Sequence, residues 1–310
     1  MAEIVITEFM DEAAVARLSQ RHATHYDPTL ADRQGRIGKL LHDASALIVR
    51  NRTRVDGGLL SAGPGLRCVG RLGVGLDNID LEACKARQIA VYPATGASNR
   101  AVAEYVLAAA MMLVRGAYLS SREVAAGKWP REKLMGAEIS GRLLGLVGFG
   151  AIAQETAELA VALGMKVLAH DPFLPDLHPA WAMAGRRDFA DLLAEADIVS
   201  LHVPLTDDTR HLIDAKAIAR MKRQAVLINA ARGGVVDEAA LVEALREGKI
   251  AGAALDVFES EPLTANAGKK FASITNLILT PHIGGVTRES NVRVSSVIAD
   301  AVLNHLGRNV

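Results

Sequence analysis

A chain of 310 residues, half of them apolar, can bury more core than one compact domain needs, so two domains are expected. Lys and Arg number 35 and Asp and Glu 35, so the formal net charge is zero; without a global field to attract them, neither nucleic acid nor a membrane surface is expected as a partner. Cys68 and Cys84 make no disulfide framework or metal-ligand array, no basic and apolar leader opens the chain, and the longest apolar stretch, 101–114, contains Glu104 and is too short to span a bilayer. A cytoplasmic protein without a metal site is predicted.

Short β-type runs come first, at 4–6, 46–50 and 66–70, with a helical pattern over 11–19. Their alternation predicts an α/β region ahead of any nucleotide site. A helix over 98–115 follows, apolar around most of its circumference. That predicts burial on more than one side, against its own domain and against a second subunit, so a homodimer through residues 99–140 is expected.

Residues 145–153 combine an apolar run with Gly145, Gly148, Gly150 and Ala153; a helical pattern and a second apolar run follow, ending on Asp171. Strand, glycine turn, helix, strand and acid form the layout of a dinucleotide-binding unit. Gly148 allows the tight turn, Gly150 lets the backbone approach a pyrophosphate, and Ala153 is a tolerated variant at the helix-packing position. Two glycines alone are weak, because many strand-to-helix loops carry them for steric reasons. Asp171, about 20 residues further on, makes the reading specific, since its carboxylate can accept from a ribose diol. It would repel a 2′-phosphate, and no arginine follows it directly in the chain, so NAD is the expected cofactor.

Further strands are predicted at 198–203, 225–229, 253–256 and 277–280, with a helix over 238–247, completing a six-stranded doubly wound sheet. A last helix over 288–306 is expected to return to the first domain. The predicted division is therefore 1–98 with 287–310, and 99–286, with the active site between two lobes.

Ligands in such sheets lie beyond the carboxyl ends of the strands. There the sequence places His202 and Pro204, then Asn229 to Gly234 with Arg232, then Asp256 to Pro262 with Glu261, then Pro281 to Gly285 with His282. An arginine can grip a substrate carboxylate and polarise a carbonyl. A histidine can exchange a hydroxyl proton near neutral pH, and a carboxylate can fix its tautomer and stabilise its charged form. These are the parts needed to move a hydride to or from a 2-hydroxy or 2-oxo acid. Singly, each has a plainer explanation: a turn arginine, a core histidine, a turn-capping glutamate. Asp77, Asn78 and Asp80 read as turn and helix-cap residues, because an acid beside a substrate anion would repel it.

Residues 70–80, 145–153, 229–237, 255–262 and 280–285 together resemble the D-isomer-specific 2-hydroxyacid dehydrogenases, most closely their phosphoglycerate dehydrogenase-like branch in a short form without regulatory domains. The resemblance implies an α/β protein of two Rossmann-like lobes, a doubly wound dinucleotide-binding domain inserted in a flavodoxin-like substrate domain. It implies Arg232 as the substrate-binding arginine, Glu261 as the partner of the histidine and His282 as the acid–base. The cofactor is expected against Gly148, Phe149, Gly150, Ala151, Ile152 and Asp171, then His202, Val203, Pro204 and Thr209, then Ala230, Arg232, His282, Gly284 and Gly285. Asp256 is expected to orient its carboxamide. Val74 and Gly75 are expected to receive the substrate carboxylate.

Arg50, Asn51 and Arg52 end a strand of the first lobe, where the matching stretch of the family contributes substrate contacts. Two guanidinium groups there suit a second anion, as in 3-phosphoglycerate or sulfolactate. Arg131 and Lys133 are further basic candidates. The alternatives are an uncharged-tail acid such as lactate, glyoxylate or hydroxypyruvate, or, in a different class, a dinucleotide-binding corepressor.

Overall fold

The wholly apolar triplet Ile4–Ile6 forms β1 and is buried throughout, as an inner strand of a parallel sheet must be. In the computed structural model, which describes residues 2–307, it joins β2 (Thr24–Tyr26), β3 (Ala46–Val49), β4 (Cys68–Arg71) and β5 (Ala90–Pro93). The sheet is parallel with order β2-β1-β3-β4-β5, the flavodoxin-type winding. The helix Glu12–Ser19 starts where Asp11 accepts from the N–H groups of Ala13 and Ala14, and Asp80 caps Leu81–Ala86 in the same way. The helix Arg288–Gly307 packs on β4. Gly70 makes that approach possible, because an added Cβ would lie 2.6 Å from Ile298 Cγ2. This first compact unit comprises the described residues of Met1–Ser98 and Val286–Val310.

The second unit, Asn99–Gly285, is built on β6 (Leu143–Val147), β7 (Lys166–His170), β8 (Gly185–Arg186), β9 (Ile198–Leu201), β10 (Val226–Asn229), β11 (Gly252–Leu255) and β12 (Leu277–Leu279). The order is β12-β11-β10-β9-β6-β7-β8, all parallel. Seven strands replace the six expected, because the two-residue β8 has no apolar run of its own. The winding is that of a Rossmann sheet, with its switch point between β6 and β9. Successive residues of β10 face opposite layers: Leu227 joins the cluster with Leu192, Leu201 and Leu241, while Val226 and Ile228 join Val106, Leu144 and Ala157. The helix Asn99–Arg115 supplies much of that second cluster through Val102, Val106, Leu107, Ala109 and Ala110. Among the described residues no helix is long and apolar enough to cross a membrane, and no cluster of His, Cys, Asp or Glu could hold a metal ion.

Candidate active site

All six long strands of the second unit deliver polar loops at their carboxyl ends. Beyond β6, Gly148 has φ +86°, and an added Cβ would lie 2.7 Å from the His202 carbonyl oxygen, so both conformation and space require glycine. Gly150 differs. Its φ is ordinary, nothing lies within 4 Å of an added Cβ, and it starts the helix Ala151–Ala162 with no side chain capping the first N–H groups. Open space over uncapped helix N–H groups fits the pyrophosphate of a dinucleotide. Ala153 is fully buried against this layer, which accounts for the small residue there. The Phe149 side chain is also fully buried, stacked on Trp181, so only its backbone can face a cofactor.

At the end of β7, Asp171 Oδ2 accepts the Phe149 N–H at 2.8 Å, and Oδ1 accepts those of Phe173 and Leu174. The carboxylate is held against the glycine turn with lone pairs left for a ribose diol. The fold adds what the chain order conceals: β8 brings Arg186 and Arg187 beside β7. Both are engaged, Arg186 with Asp176 and Arg187 with Glu195. Asp171→Ala is therefore expected to narrow the preference for NAD over NADP by about tenfold or more in kcat/KM. A wild type equally efficient with both cofactors would remove this role.

His202 follows β9, and its Nε2 lies 3.0 Å from the hydroxyl of buried Ser200. Burial pushes its pKa down to about 4, so at neutral pH it is an uncharged hydrogen-bonding group. Thr209 uses its hydroxyl within its own turn, donating to the Pro204 carbonyl at 2.6 Å and accepting the Thr206 N–H at 2.7 Å.

After β10, buried Asn229 folds the next turn, donating to the Arg232 carbonyl at 2.9 Å and accepting the Ala231 N–H at 3.1 Å. The Arg232 guanidinium donates to the Ala231 carbonyl at 2.6 Å. Gly233 lies so close to the following loop that an added Cβ would be 1.8 Å from the Phe258 carbonyl oxygen. That loop carries Glu261, whose Oε1 accepts the Phe258 N–H at 3.0 Å and whose Oε2 lies 2.7 Å from His282 Nδ1. Burial opposes ionisation of Glu261. The hydrogen bonds from His282 and Phe258 and the charges of His282 and Arg232 together outweigh it, holding the carboxyl below its ordinary value. The three residues expected to carry the chemistry thus act on one another: His282 is bonded to Glu261, and Arg232 contributes to its field.

Asp256, at the end of β11, is 1% exposed, and both carboxylate oxygens are bonded to the loop that follows β12. Tyr105 joins the same network through the Thr280 hydroxyl, a pairing that no local spacing announces.

In the first unit, buried Glu8 accepts the N–H groups of Arg50 and Thr53 on Oε1 and that of Arg52 on Oε2. Asn78 donates to the carbonyls of Arg50 and Thr53. The 50–53 loop is therefore held from inside, and Asn78 is the turn residue it was expected to be. Only an acid after the first strand could have flagged Glu8. The half-buried Arg50 side chain is bonded to Asn291 and lies 5.9 Å from the ring centre of Phe9. Burial lowers its pKa, with Glu8 opposing. Arg52 is exposed and paired with Asp32, and Lys133 lies 3.5 Å from Glu123.

A family model described as D-isomer specific 2-hydroxyacid dehydrogenase, NAD binding domain, matches residues 107–284. An (S)-sulfolactate dehydrogenase of Chromohalobacter salexigens is 55% identical over 308 residues, 99% of each chain. A D-3-phosphoglycerate dehydrogenase of Archaeoglobus fulgidus is 40% identical over 84% of this chain, which spans about half of that relative's length (49%). The crystal structure of a D-lactate dehydrogenase from Aquifex aeolicus, complexed with NAD and lactic acid, superposes with a TM-score of 0.85 at 28% identity, covering 99% of this chain and 96% of that one.

Proposed function

The chain belongs to the D-isomer specific 2-hydroxyacid dehydrogenase family, and we propose that it interconverts a three-carbon 2-hydroxy acid bearing a second anion, of the sulfolactate class, with its 2-oxo acid. Family membership makes it an NAD-dependent oxidoreductase acting on a CH–OH group, which leaves the corepressor alternative behind. One observation carries the assignment of the acid–base: His282 Nδ1 lies 2.7 Å from Glu261 Oε2. With the Nδ1–H given to Glu261, Nε2 is the atom that exchanges a proton with the C2 oxygen. Bound NAD supplies the hydride acceptor in oxidation and, reduced, the hydride donor. In oxidation Nε2 takes the hydroxyl proton; in reduction the imidazolium returns it. Glu261 stays ionised throughout and balances the imidazolium charge. Arg232 grips the substrate carboxylate and polarises the C2 carbonyl.

The substrate class is supported by likeness to the sulfolactate enzyme over nearly the whole of both chains. Its (S) label agrees with a D-specific family. Sulfur raises the CH2 group above the carboxylate in priority, so (S)-sulfolactate has the handedness of D-lactate. Arg50 suits the second anion better than Arg52, because its guanidinium is already oriented by Asn291 and Phe9, whereas Arg52 is exposed and paired with Asp32. Arg50→Ala should lower kcat/KM for sulfolactate and 3-phosphoglycerate by about 10–100-fold more than for lactate, and Arg52→Ala by far less. Equal losses for all three acids, or a wild type that prefers lactate, would favour an uncharged-tail substrate.

The same reading includes a homodimer through residues 99–140, where Tyr118, Trp129 and Met135 are 65%, 75% and 82% exposed, apolar surface that a second subunit would cover. A monomer in sedimentation at micromolar concentration would remove that part. It also includes a cytoplasmic location, supported by the free, buried thiols of Cys68 and Cys84.

A further inference from the structure

We propose that Glu8 is a positioning residue for substrate choice: it holds the 50–53 loop from inside the fold, so that the Arg50 guanidinium meets the second anion, and thereby sets the preference for a dianionic acid over a monoanionic one. The proposal rests on Arg50 being the residue that receives that anion.

The sheet brings the two residues together. β1 and β3 are parallel neighbours with Ile6 paired to Ile48, so two residues further on Glu8 leaves the carboxyl edge beside Arg50. Glu8 is 4% exposed, and its carboxylate accepts three backbone N–H groups: Arg50 at 2.8 Å and Thr53 at 3.0 Å on Oε1, and Arg52 at 3.1 Å on Oε2. Three N–H groups turned towards one point form an anion-binding nest, and here the anion belongs to the protein.

The rest of the loop is laced to the same unit. Asn78 donates to the carbonyls of Arg50 at 3.1 Å and Thr53 at 2.7 Å, and the Thr53 hydroxyl lies 2.8 Å from that of buried Thr7. Gln34 donates to the Arg52 carbonyl at 3.1 Å and accepts the Arg54 N–H at 3.0 Å. Glu8, Asn78 and Gln34 bind backbone atoms, which leaves the arginine side chains outside the clamp. The Arg50 guanidinium is then oriented by Asn291 and the Phe9 ring. The Glu8 charge also opposes the effect of burial on Arg50, so one carboxylate both fixes the loop and offsets the cost of a half-buried cation.

Two effects of Glu8 on a dianionic substrate have opposite signs. Its negative charge would repel the second anion, and removing that charge would then strengthen the preference. Its hold on the loop works the other way. In Glu8→Gln the amide must turn a donor towards at least one of the three N–H groups, so the loop shifts and the preference weakens. Positioning is expected to prevail, because the carboxylate charge is spent on three bonds and balanced by Arg50.

The test compares kcat/KM for 3-sulfopyruvate and for pyruvate with NADH. In Glu8→Gln the ratio of the two should fall about tenfold, through a raised KM for 3-sulfopyruvate. A variant that merely folds less well would lose activity with both acids alike and keep the ratio. Arg50→Ala and the double variant complete the cycle: if Glu8 acts through Arg50, adding Glu8→Gln to Arg50→Ala should change the ratio by less than about threefold. An unchanged or increased ratio in Glu8→Gln, or losses that multiply in full in the double variant, would overturn the proposal. A wild-type ratio in Arg50→Ala would remove the reading of Arg50 and the proposal with it, whereas a loss there beside an unchanged Glu8→Gln overturns the positioning role alone. If Glu8→Gln gives no cooperative melt, Asn78→Ala decides. It frees the same loop at two carbonyls, so the ratio should fall about threefold or more; an unchanged ratio overturns the proposal.

Discussion

His282→Ala is expected to lower kcat by about 10²–10⁴-fold in both directions while leaving NADH binding intact, the range over which a positioned acid–base contributes. The imidazole is held at one nitrogen by the carboxylate of Glu261, 2.7 Å away, which leaves the other nitrogen to exchange a proton with substrate. Glu261→Gln should fall between the variant and the wild type, because the amide keeps a hydrogen bond to the ring but loses the charge that balances the imidazolium. The pH dependence has a definite sign. Glu261 has a folded pKa below its ordinary value of 4.5, so it contributes stability that is present above that value and is lost as pH falls through the lowered one. The wild type should therefore exceed Glu261→Gln in urea midpoint at neutral pH, and the gap should close only in acid below that ordinary value. A constant gap across this range, or a His282→Ala enzyme with wild-type turnover, would separate the pair from the mechanism.

Gly233→Ala is expected to be the most damaging small substitution in the second unit. Its Cβ would sit 1.8 Å from the Phe258 carbonyl oxygen and 2.9 Å from the Glu259 nitrogen, and these are backbone atoms with nowhere to rotate. The loop cannot move freely. Glu259 donates its N–H to buried Glu238 at 2.8 Å, Glu238 returns its own to Glu259 at 3.2 Å, and Phe258 donates to Glu261. The clash must either open this lacing or displace Arg232. Overpacking of this kind costs about 1–3 kcal/mol, and a shift of about 1 Å at the Arg232–Glu261 pair would cost about 100-fold in kcat. Gly150→Ala is the contrast: with an ordinary φ and open space around the added Cβ, it should melt like the wild type yet bind NADH more weakly, because the methyl enters the space over the helix N-terminus. Wild-type melting and turnover in Gly233→Ala would show that the loop yields more easily than its bonds imply.

The sequence made the chemistry more legible than the architecture that holds it. Arg232, Glu261 and His282 follow buried apolar strands, and in a parallel sheet that position alone directs them to the ligand edge. Gly148 and Asp171 were readable for the same reason. The edge strands were not: β2 is Thr24–Tyr26 and only half-buried, and β8 is two residues long, so neither carries the apolar run that marks an inner strand. The bonds made by the supporting polar groups were also hidden. Glu8, Asp256 and Thr280 act through bonds to loops 24 to 45 residues away in the chain, and no local spacing announces such a partner. Arg52 shows the reverse failure, since a basic residue at a strand end was legible but its pairing with Asp32 was not.

The most direct test of the central claim is the wild-type enzyme with NADH and a panel of 2-oxo acids, followed at the absorbance band of reduced nicotinamide. The account predicts that 3-sulfopyruvate is reduced with a kcat/KM at least about 100-fold above that of pyruvate, giving (S)-sulfolactate alone. Pyruvate turned over as well as 3-sulfopyruvate, a product of the opposite hand, or no absorbance change with any acid of the panel would contradict it.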